Sequence, residues 1–192
     1  ARNLLEALQA VSCNDDGDES SGGLKAAARI VAAQTSVGVY KAHECDGSIA
    51  NAKTVVDVGG IAELNVLQQV ERNGSQCLHV GAAVSLSRLV GALLDSVASM
   101  DDDDEHDAGS EAGKWSRRQH LQQRIADHVE RIANTHVRNV ATVGGNLAMA
   151  RDQGFESDLA TLLLAAGATV TLAHLENSGY ATRTISLAHF LG

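Results

Sequence analysis

Proline is absent from this chain of 192 residues, although average usage of about 5% would place roughly ten in it. Aromatic residues make up only 3%, so any interior has to be built from Val, Leu, Ile and Ala. Three cysteines occur, at 13, 45 and 77, far apart and with no C-x-x-C pair. That scarcity argues against a disulfide framework and against a zinc or iron–sulfur site within the chain, and fits a reducing, cytoplasmic setting. No run approaches the ~20 apolar residues that span a bilayer. Residues Ala1 to Ala10 read as an amphipathic helix, not as a basic-plus-apolar leader. The 44% hydrophobic content excludes a disordered chain and suits one domain or two small lobes.

The formal charge of −9 is unevenly distributed. Asp15, Asp16, Asp18 and Glu19 hold four acids, and Asp101, Asp102, Asp103, Asp104, Glu105, Asp107 and Glu111 hold seven more. With those eleven set aside, 13 of the 24 acids remain against 15 Lys and Arg, so the body is close to neutral. Asp101 to Asp104 lacks the alternating ligands and central glycine of a calcium loop, and reads as a solvated insertion over about 99–114. No basic stripe is present to neutralise phosphates, which argues against nucleic acid as a partner. His120, His128 and His136 recur every eight residues, a spacing that drifts around a helix, so no metal site is expected there.

Patterning predicts a helix over Asn3 to Val11, then strands at Arg29 to Ala33 and Thr54 to Val58. Two further strands, Asn65 to Arg72 and Gln76 to Ala82, are joined by Asn73-Gly74, a strong hairpin signal because both residues tolerate φ > 0. Ser85 reads as the N-cap of a helix through Leu94. A second long helix is expected over Trp115 to Asn134, with Leu121, Ile125, His128 or Val129, and Ile132 on one face. Val140 to Gly145 reads as a glycine-ended extended segment. Ser157 caps a helix through Ala166, Ala168 to His174 and Tyr180 to Ile185 pair as strands, and Ser186 starts a last helix. This order predicts a mixed α+β protein with two lobes.

Two stretches have the composition of ligand-binding turns. Ile30-Val-Ala-Ala-Gln-Thr-Ser-Val-Gly38 is an apolar strand running into small hydroxyl residues. It is either a plain strand-to-helix turn or a nest of backbone N–H groups suited to a phosphate. Arg138-Asn-Val-Ala-Thr-Val-Gly-Gly-Asn-Leu147 places two glycines between a hydroxyl and an amide. It is either a bulged turn or a place where backbone approaches a ligand closely.

Taken with Ala133-Asn-Thr before it and Ser157-Asp-Leu after it, the second stretch resembles the flavin domain of the molybdenum hydroxylases. That family includes the xanthine dehydrogenases and aldehyde oxidases, and its pattern is R-N-x-A-T/S-x-G-G-N-L followed by S-D-L. Val31 to Gly38, Ile61 to Leu64 and Val80-Gly-Ala-Ala-Val-Ser-Leu-Ser87 match in order, and the resemblance runs from about Leu24 to Leu191. It implies an α+β, PCMH-type fold: a small N-terminal α/β lobe (24–60, preceded by a helix and acidic loop over 1–23) and a lobe with a mainly antiparallel sheet (61–192). The cofactor implied is FAD. Ile30, Val31, Ala32, Ala33, Gln34, Thr35, Ser36 and Val37 correspond to the first flavin loop, and Thr142, Val143, Gly144, Gly145 and Asn146 to the second. Asp158 corresponds to a flavin-contacting carboxylate, and Ile132 to an apolar position near the cofactor.

The resemblance implies no catalytic acid, base or nucleophile among these residues. It implies electron transfer from 2Fe-2S clusters and a molybdopterin centre in other domains, through FAD, to O2 or NAD+, in an enzyme that is a homodimer. Val37-Gly38-Val39-Tyr40-Lys41 and the Ser157 helix lean towards the plant-type aldehyde oxidases. The chain is accordingly expected to be a fragment. A flavin subunit of the carbon-monoxide-dehydrogenase type, or a degenerate module without flavin, are the alternatives. Two departures from the family pattern stand out: Ala33-Gln34-Thr35 where it reads G-N-T, and Ile61-Ala62-Glu63 where it reads Ile-Pro-Glu. An alanine at the first of these costs on the order of 1 kcal/mol where the glycine adopts φ > 0.

Overall fold

A computed structural model describes residues 2–12, 28–33, 35, 54–72, 74–98, 111–177 and 179–192, with backbone alone at 98 and 111–117. Gln34, Ser36, Val37, Cys13, Cys45, Asn73 and most of both acidic stretches lie outside the described residues.

The N-terminal helix α1 (Leu4–Ser12) turns Ala7 inward. Strands β1 (Arg29–Val31) and β2 (Val55–Asp57) pair in parallel, with Ile30 opposite Val56. Ala7, Val56, Val58 and Ile61 form a small buried cluster, against which Leu4, Ala32 and Leu64 pack. A single 3-10 turn over Ala62–Leu64 leads out of it.

That turn could accommodate one of the missing prolines. Ile61 precedes it in an extended conformation (φ −74°, ψ 122°), the geometry a following proline requires. Ala62 is the first residue of the turn and is exposed. Its N–H donates no hydrogen bond among the described residues. Proline is well suited to such a first position, so Ala62→Pro is expected to stabilise the protein by about 0.4–1 kcal/mol. A higher urea midpoint in equilibrium unfolding tests this, and a lower one refutes it.

The antiparallel hairpin β3 (Leu67–Arg72) and β4 (Ser75–Val80) pairs Arg72 with Ser75, and Gly74 takes φ +71° in its turn. Helix α2 (Leu86–Ala98) follows, with Leu86, Leu89, Val90 and Leu93 buried at helical spacing. Ser85 Oγ accepts from Arg88 N at 3.3 Å, as its N-cap role predicts. Helix α3 (Glu111–Val129) packs on α2 through Ile125, Ala126 and Val129. It starts before Trp115 and stops before Asn134. Of the expected face, Val129 is buried and His128 is exposed, while Leu121 is 51% exposed because it lies to one side of the line Gln122, Ile125, Ala126 and Val129 that faces α2.

The segment expected to be extended from Val140 to Gly145 is mostly helical. Helix α4 (Thr135–Val140) is capped by Asn134, whose side chain accepts from Val137 N at 2.9 Å. Only Ala141 and Thr142 separate it from α5 (Val143–Gln153), which ends at Gly154 in the left-handed conformation, φ 61°. Helix α6 (Asp158–Ala165) buries Leu159 and Ala160. Strands β5 (Thr169–Glu176) and β6 (Gly179–Ser186) form the longest hairpin, and α7 (Leu187–Leu191) is capped by Ser186 and buries Leu187. Leu86, Leu159 and Leu187 are almost wholly buried, each contributing roughly 1.5–3 kcal/mol of burial. Among the described residues the antiparallel strands form two separate hairpins, not one sheet. The mixed α+β expectation holds.

Candidate functional site

The Thr142–Asn146 turn is held by the segment that precedes α2, a tight turn at Gly81–Val84 followed by Ser85. Leu86 N donates to Ala141 O (2.9 Å), Val143 N to Val84 O (2.9 Å) and Gly144 N to Ala82 O (2.8 Å), while Ser85 and Thr142 form an antiparallel bridge. Thr142 is buried, and its Oγ1 accepts from Gly145 N at 3.1 Å. Asn146 N donates to Thr142 O at 3.0 Å. Of the N–H groups that a helix start ordinarily leaves open, those of Val143, Gly144 and Gly145 therefore have acceptors, and Asn146 N makes the first ordinary helical bond of α5.

The two glycines have different jobs. A Cβ at Gly144 would lie 2.6 Å from Ala82 Cβ and 2.8 Å from Ala82 O, so this glycine serves the packing of two chain segments. A Cβ at Gly145 would lie 2.8 Å from Thr142 Oγ1, against the hydroxyl that caps the helix. Gly145 is exposed and presents bare backbone outward, whereas Val143 points into the main core.

Asn146, Ser157 and Asp158 come together beside this turn. Ser157 is buried; its Oγ accepts from Ala160 N at 2.9 Å and donates to Asn146 Oδ1. That bond engages the carbonyl oxygen of the Asn146 side chain and leaves its NH2 group as a donor. Asp158 is exposed in the first turn of α6, where a carboxylate is favoured by the helix dipole. Ile132 is half-buried and packs on the main core. Arg138 clamps the turn after it: Nη1 donates to Ile132 O and Ala133 O, both at 3.0 Å, and Nη2 to Thr135 Oγ1 at 3.2 Å. Ala133 takes φ 49° within this clamp.

The first stretch lies on the small cluster. Ile30 is 54% exposed, Val31, Ala32 and Ala33 are half-buried, and Thr35 is exposed. Among described non-glycine residues only Ala133 and Asn177 have positive φ, so the left-handed penalty considered for Ala33 does not arise. No hydrogen bond among the described residues joins β1 to Thr142–Asn146 directly. The link runs through Asn65, which donates from Nδ2 to Gly59 O (2.8 Å) and Ile61 O (2.9 Å). Arg88 of α2 in turn donates to Asn65 Oδ1 (3.2 Å) and Asn65 O (3.3 Å). Asn65, Gly81, Ala82 and Arg88 are the positioning residues that sequence reasoning passed over. The signal available for two of them was the Val80–Ser87 match, which contains Gly81 and Ala82.

These residues suit a ligand rich in hydrogen-bond acceptors. The space a Cβ would fill at Gly145, the Thr142 hydroxyl and the pre-set Asn146 amide meet at the positive end of a helix dipole. A pyrophosphate and polyol chain such as that of FAD matches this donor set. The donors open to such a ligand here are on side chains, since the N–H groups of Val143, Gly144 and Gly145 are already engaged.

Comparison with known proteins agrees. A family profile described as the FAD binding domain in molybdopterin dehydrogenase matches residues 2–192. An indole-3-acetaldehyde oxidase of Zea mays is 34% identical over 144 residues, 75% of this chain and 8% of that protein. A probable aldehyde oxidase of Oryza sativa subsp. japonica is 34% identical over 144 residues, with the same shares covered. The abscisic-aldehyde oxidase of Arabidopsis thaliana is 29% identical over 163 residues, 85% of this chain and 10% of that protein. The chain thus spans 8–10% of the length of these relatives. With the motif order, the α+β architecture and the profile in agreement, this chain belongs to the FAD-binding domain family of the molybdopterin dehydrogenases.

Proposed function

We propose that this chain is the flavin-binding, electron-transferring segment of an aldehyde-oxidase-type molybdenum hydroxylase. The bond from Ser157 to Asn146 beside exposed Gly145 carries the reading most directly, because it prepares an amide donor where a ligand has open access to backbone. Gly145, Asn146 and Thr142 would hold the phosphate and ribityl part of FAD from one side. Ile30 to Val37 would hold it from the other, with Asp158 and Ile132 nearer the ring system. When bound, FAD supplies reversible two-electron and one-electron chemistry. The chain's own residues bind, orient and shield it.

In the whole protein, 2Fe-2S and molybdopterin domains would deliver the electrons, and O2 or NAD+ would take them. An assembly into homodimers and a cytoplasmic setting complete the proposal. Among the described residues no helix is long and apolar enough to cross a membrane.

The test is flavin retention by the purified full-length protein, read from its visible absorbance. Gly145→Val inserts a branched side chain against Thr142 Oγ1 and into the ligand's space. Asn146→Ala removes the amide donor, a loss of about 0.5–1.5 kcal/mol, or roughly a 2- to 10-fold weaker Kd. Gly145→Val is expected to weaken binding further. Far-UV circular dichroism confirms that both variants remain folded. A colourless wild-type protein that takes up no added FAD overturns the proposal. Unchanged retention in both variants removes the Thr142–Asn146 turn from the site.

A further inference from the structure

At the far end of α5 from the Thr142–Asn146 turn, side chains of four elements line an open cavity of about 150 Å³. Arg151 comes from α5, Arg183 from β6 and His189 from α7, and the apolar wall is Leu172, Ile185 and Phe190. At ~1.5 Å per residue, Arg151 stands about 12 Å along the helix from Val143, so this cavity is separate from the Thr142–Asn146 turn. Its volume is well above the ~10–15 Å³ that admits one water and below the ~300 Å³ of typical small-molecule pockets. It suits a compact ligand.

The charge pattern is unusual for a hairpin. Residues 179, 181, 183 and 185 of β6 share one face by strand alternation. Gly179, Ala181 and Ile185 on that face are half-buried, and Arg183 is the exposed exception. Across the ladder Arg183 pairs with Leu172, and Ile185 with Val170, which packs on the main core. An arginine therefore occupies the core-side face of the hairpin midway along it. Among the described residues no acceptor engages its guanidinium.

Arg151 is held differently. Its guanidinium carbon lies 4.9 Å from the centroid of the Phe190 ring, a cation–π distance that orients the group. The nearby acid, Asp152, sits 3.7 Å from Nε, with both side chains more than half exposed. Such a pair is screened by water and contributes little, and it leaves both Nη groups as donors. No acidic residue lines the cavity itself.

We propose that Arg151, Arg183 and His189 form a binding pocket for a compact phosphate-type oxyanion. Two planar guanidinium forks match the oxygens of such a group, and their mutual repulsion is relieved when it binds. The Phe190, Leu172 and Ile185 wall leaves room for a small organic substituent, so the ligand is either free phosphate or a small phosphomonoester. This proposal does not depend on the flavin reading.

The experiment is equilibrium dialysis of the purified full-length protein with inorganic phosphate and, in parallel, with phenyl phosphate. Saturable uptake is expected. Arg183→Gln and Arg151→Gln should each weaken it by about 10-fold, with flavin content unchanged. Arg183→Lys, which keeps the charge and loses the fork, should fall between wild type and Arg183→Gln. Tighter binding of phenyl phosphate assigns the pocket to a phosphomonoester, and equal binding assigns it to the free ion. Absence of saturable uptake, or uptake that both glutamine variants leave unchanged, overturns the proposal.

Discussion

Gly81→Ala is expected to destabilise the protein by about 3 kcal/mol or more, a large part of the ~5–15 kcal/mol that folded domains typically possess. A Cβ at this position would lie 2.2 Å from Leu64 O, 2.5 Å from Leu64 C and 3.0 Å from Asn65 N. All three are backbone atoms, so no rotamer change relieves the clash. Nor is the surrounding backbone free to yield. Gly81 N donates to Val66 O at 2.7 Å, Ala83 N to Leu64 O at 2.8 Å, and Val84 N to Gly81 O at 3.1 Å. Separating the segments by about an ångström to restore van der Waals contact breaks these bonds together. It also displaces Asn65, whose side chain ties Gly59 and Ile61 to Arg88 of α2.

Two other glycines calibrate the result. Gly74 has open space but φ +71°, so Gly74→Ala should cost about 1–2 kcal/mol from backbone strain alone. Gly60 has neither a neighbour within 4 Å nor a positive φ, and Gly60→Ala should fall within about 0.5 kcal/mol of wild type. Equilibrium unfolding in urea ranks the three. A Gly81→Ala midpoint close to that of Gly60→Ala contradicts the steric argument.

What could be read from the sequence depended on how local each cause is. The caps at Ser85, Ser157 and Ser186, the turn after Arg72 and the β5–β6 pairing follow from interactions within a few residues, and all are present. Helix α4 escaped because Thr135-His-Val-Arg-Asn-Val140 carries three β-branched residues in six positions, a composition of strand type. Its single turn is held instead by the Asn134 cap and the Arg138 clamp. Leu121 lies off the packed stripe because α2 meets α3 along Arg118, Gln122, Ile125, Ala126 and Val129, where polar Gln122 bonds Ser96 of α2, and a pattern of apolar residues alone does not show that line.

The candidate site divides in the same way. That Gly144 and Gly145 bring backbone close to something was legible from composition. That the partner of Gly144 is Ala82 was not, because the contact joins segments remote in sequence. The flavin assignment comes from the family resemblance, and the structure adds how Thr142, Asn146 and Ser157 are held to one another.

The same contact makes Gly144→Ala the second large effect, and one that separates packing from ligand binding. The new methyl group would meet Ala82 at Cβ (2.6 Å), O (2.8 Å) and Cα (3.0 Å). Relief requires lengthening the bond from Gly144 N to Ala82 O, and with it the neighbouring bond from Val143 N to Val84 O. Overpacking of this kind costs roughly 1–3 kcal/mol, and opening two backbone bonds places the effect at the upper end. Because Thr142 caps α5 through Gly145, the displacement also carries the Thr142 hydroxyl and Asn146 amide away from the proposed flavin position. Flavin retention should fall even where the protein stays folded.

The companion substitution Ala82→Gly removes the 2.6 Å neighbour and leaves the clash with Ala82 O. Ala82 is exposed, so by itself this change should cost about 1 kcal/mol or less. Combined with Gly144→Ala it should recover part of the lost stability, giving a coupling energy of about 0.5–1.5 kcal/mol in a double-mutant cycle. Strict additivity of the two substitutions would mean that Gly144 is required by something other than its approach to Ala82.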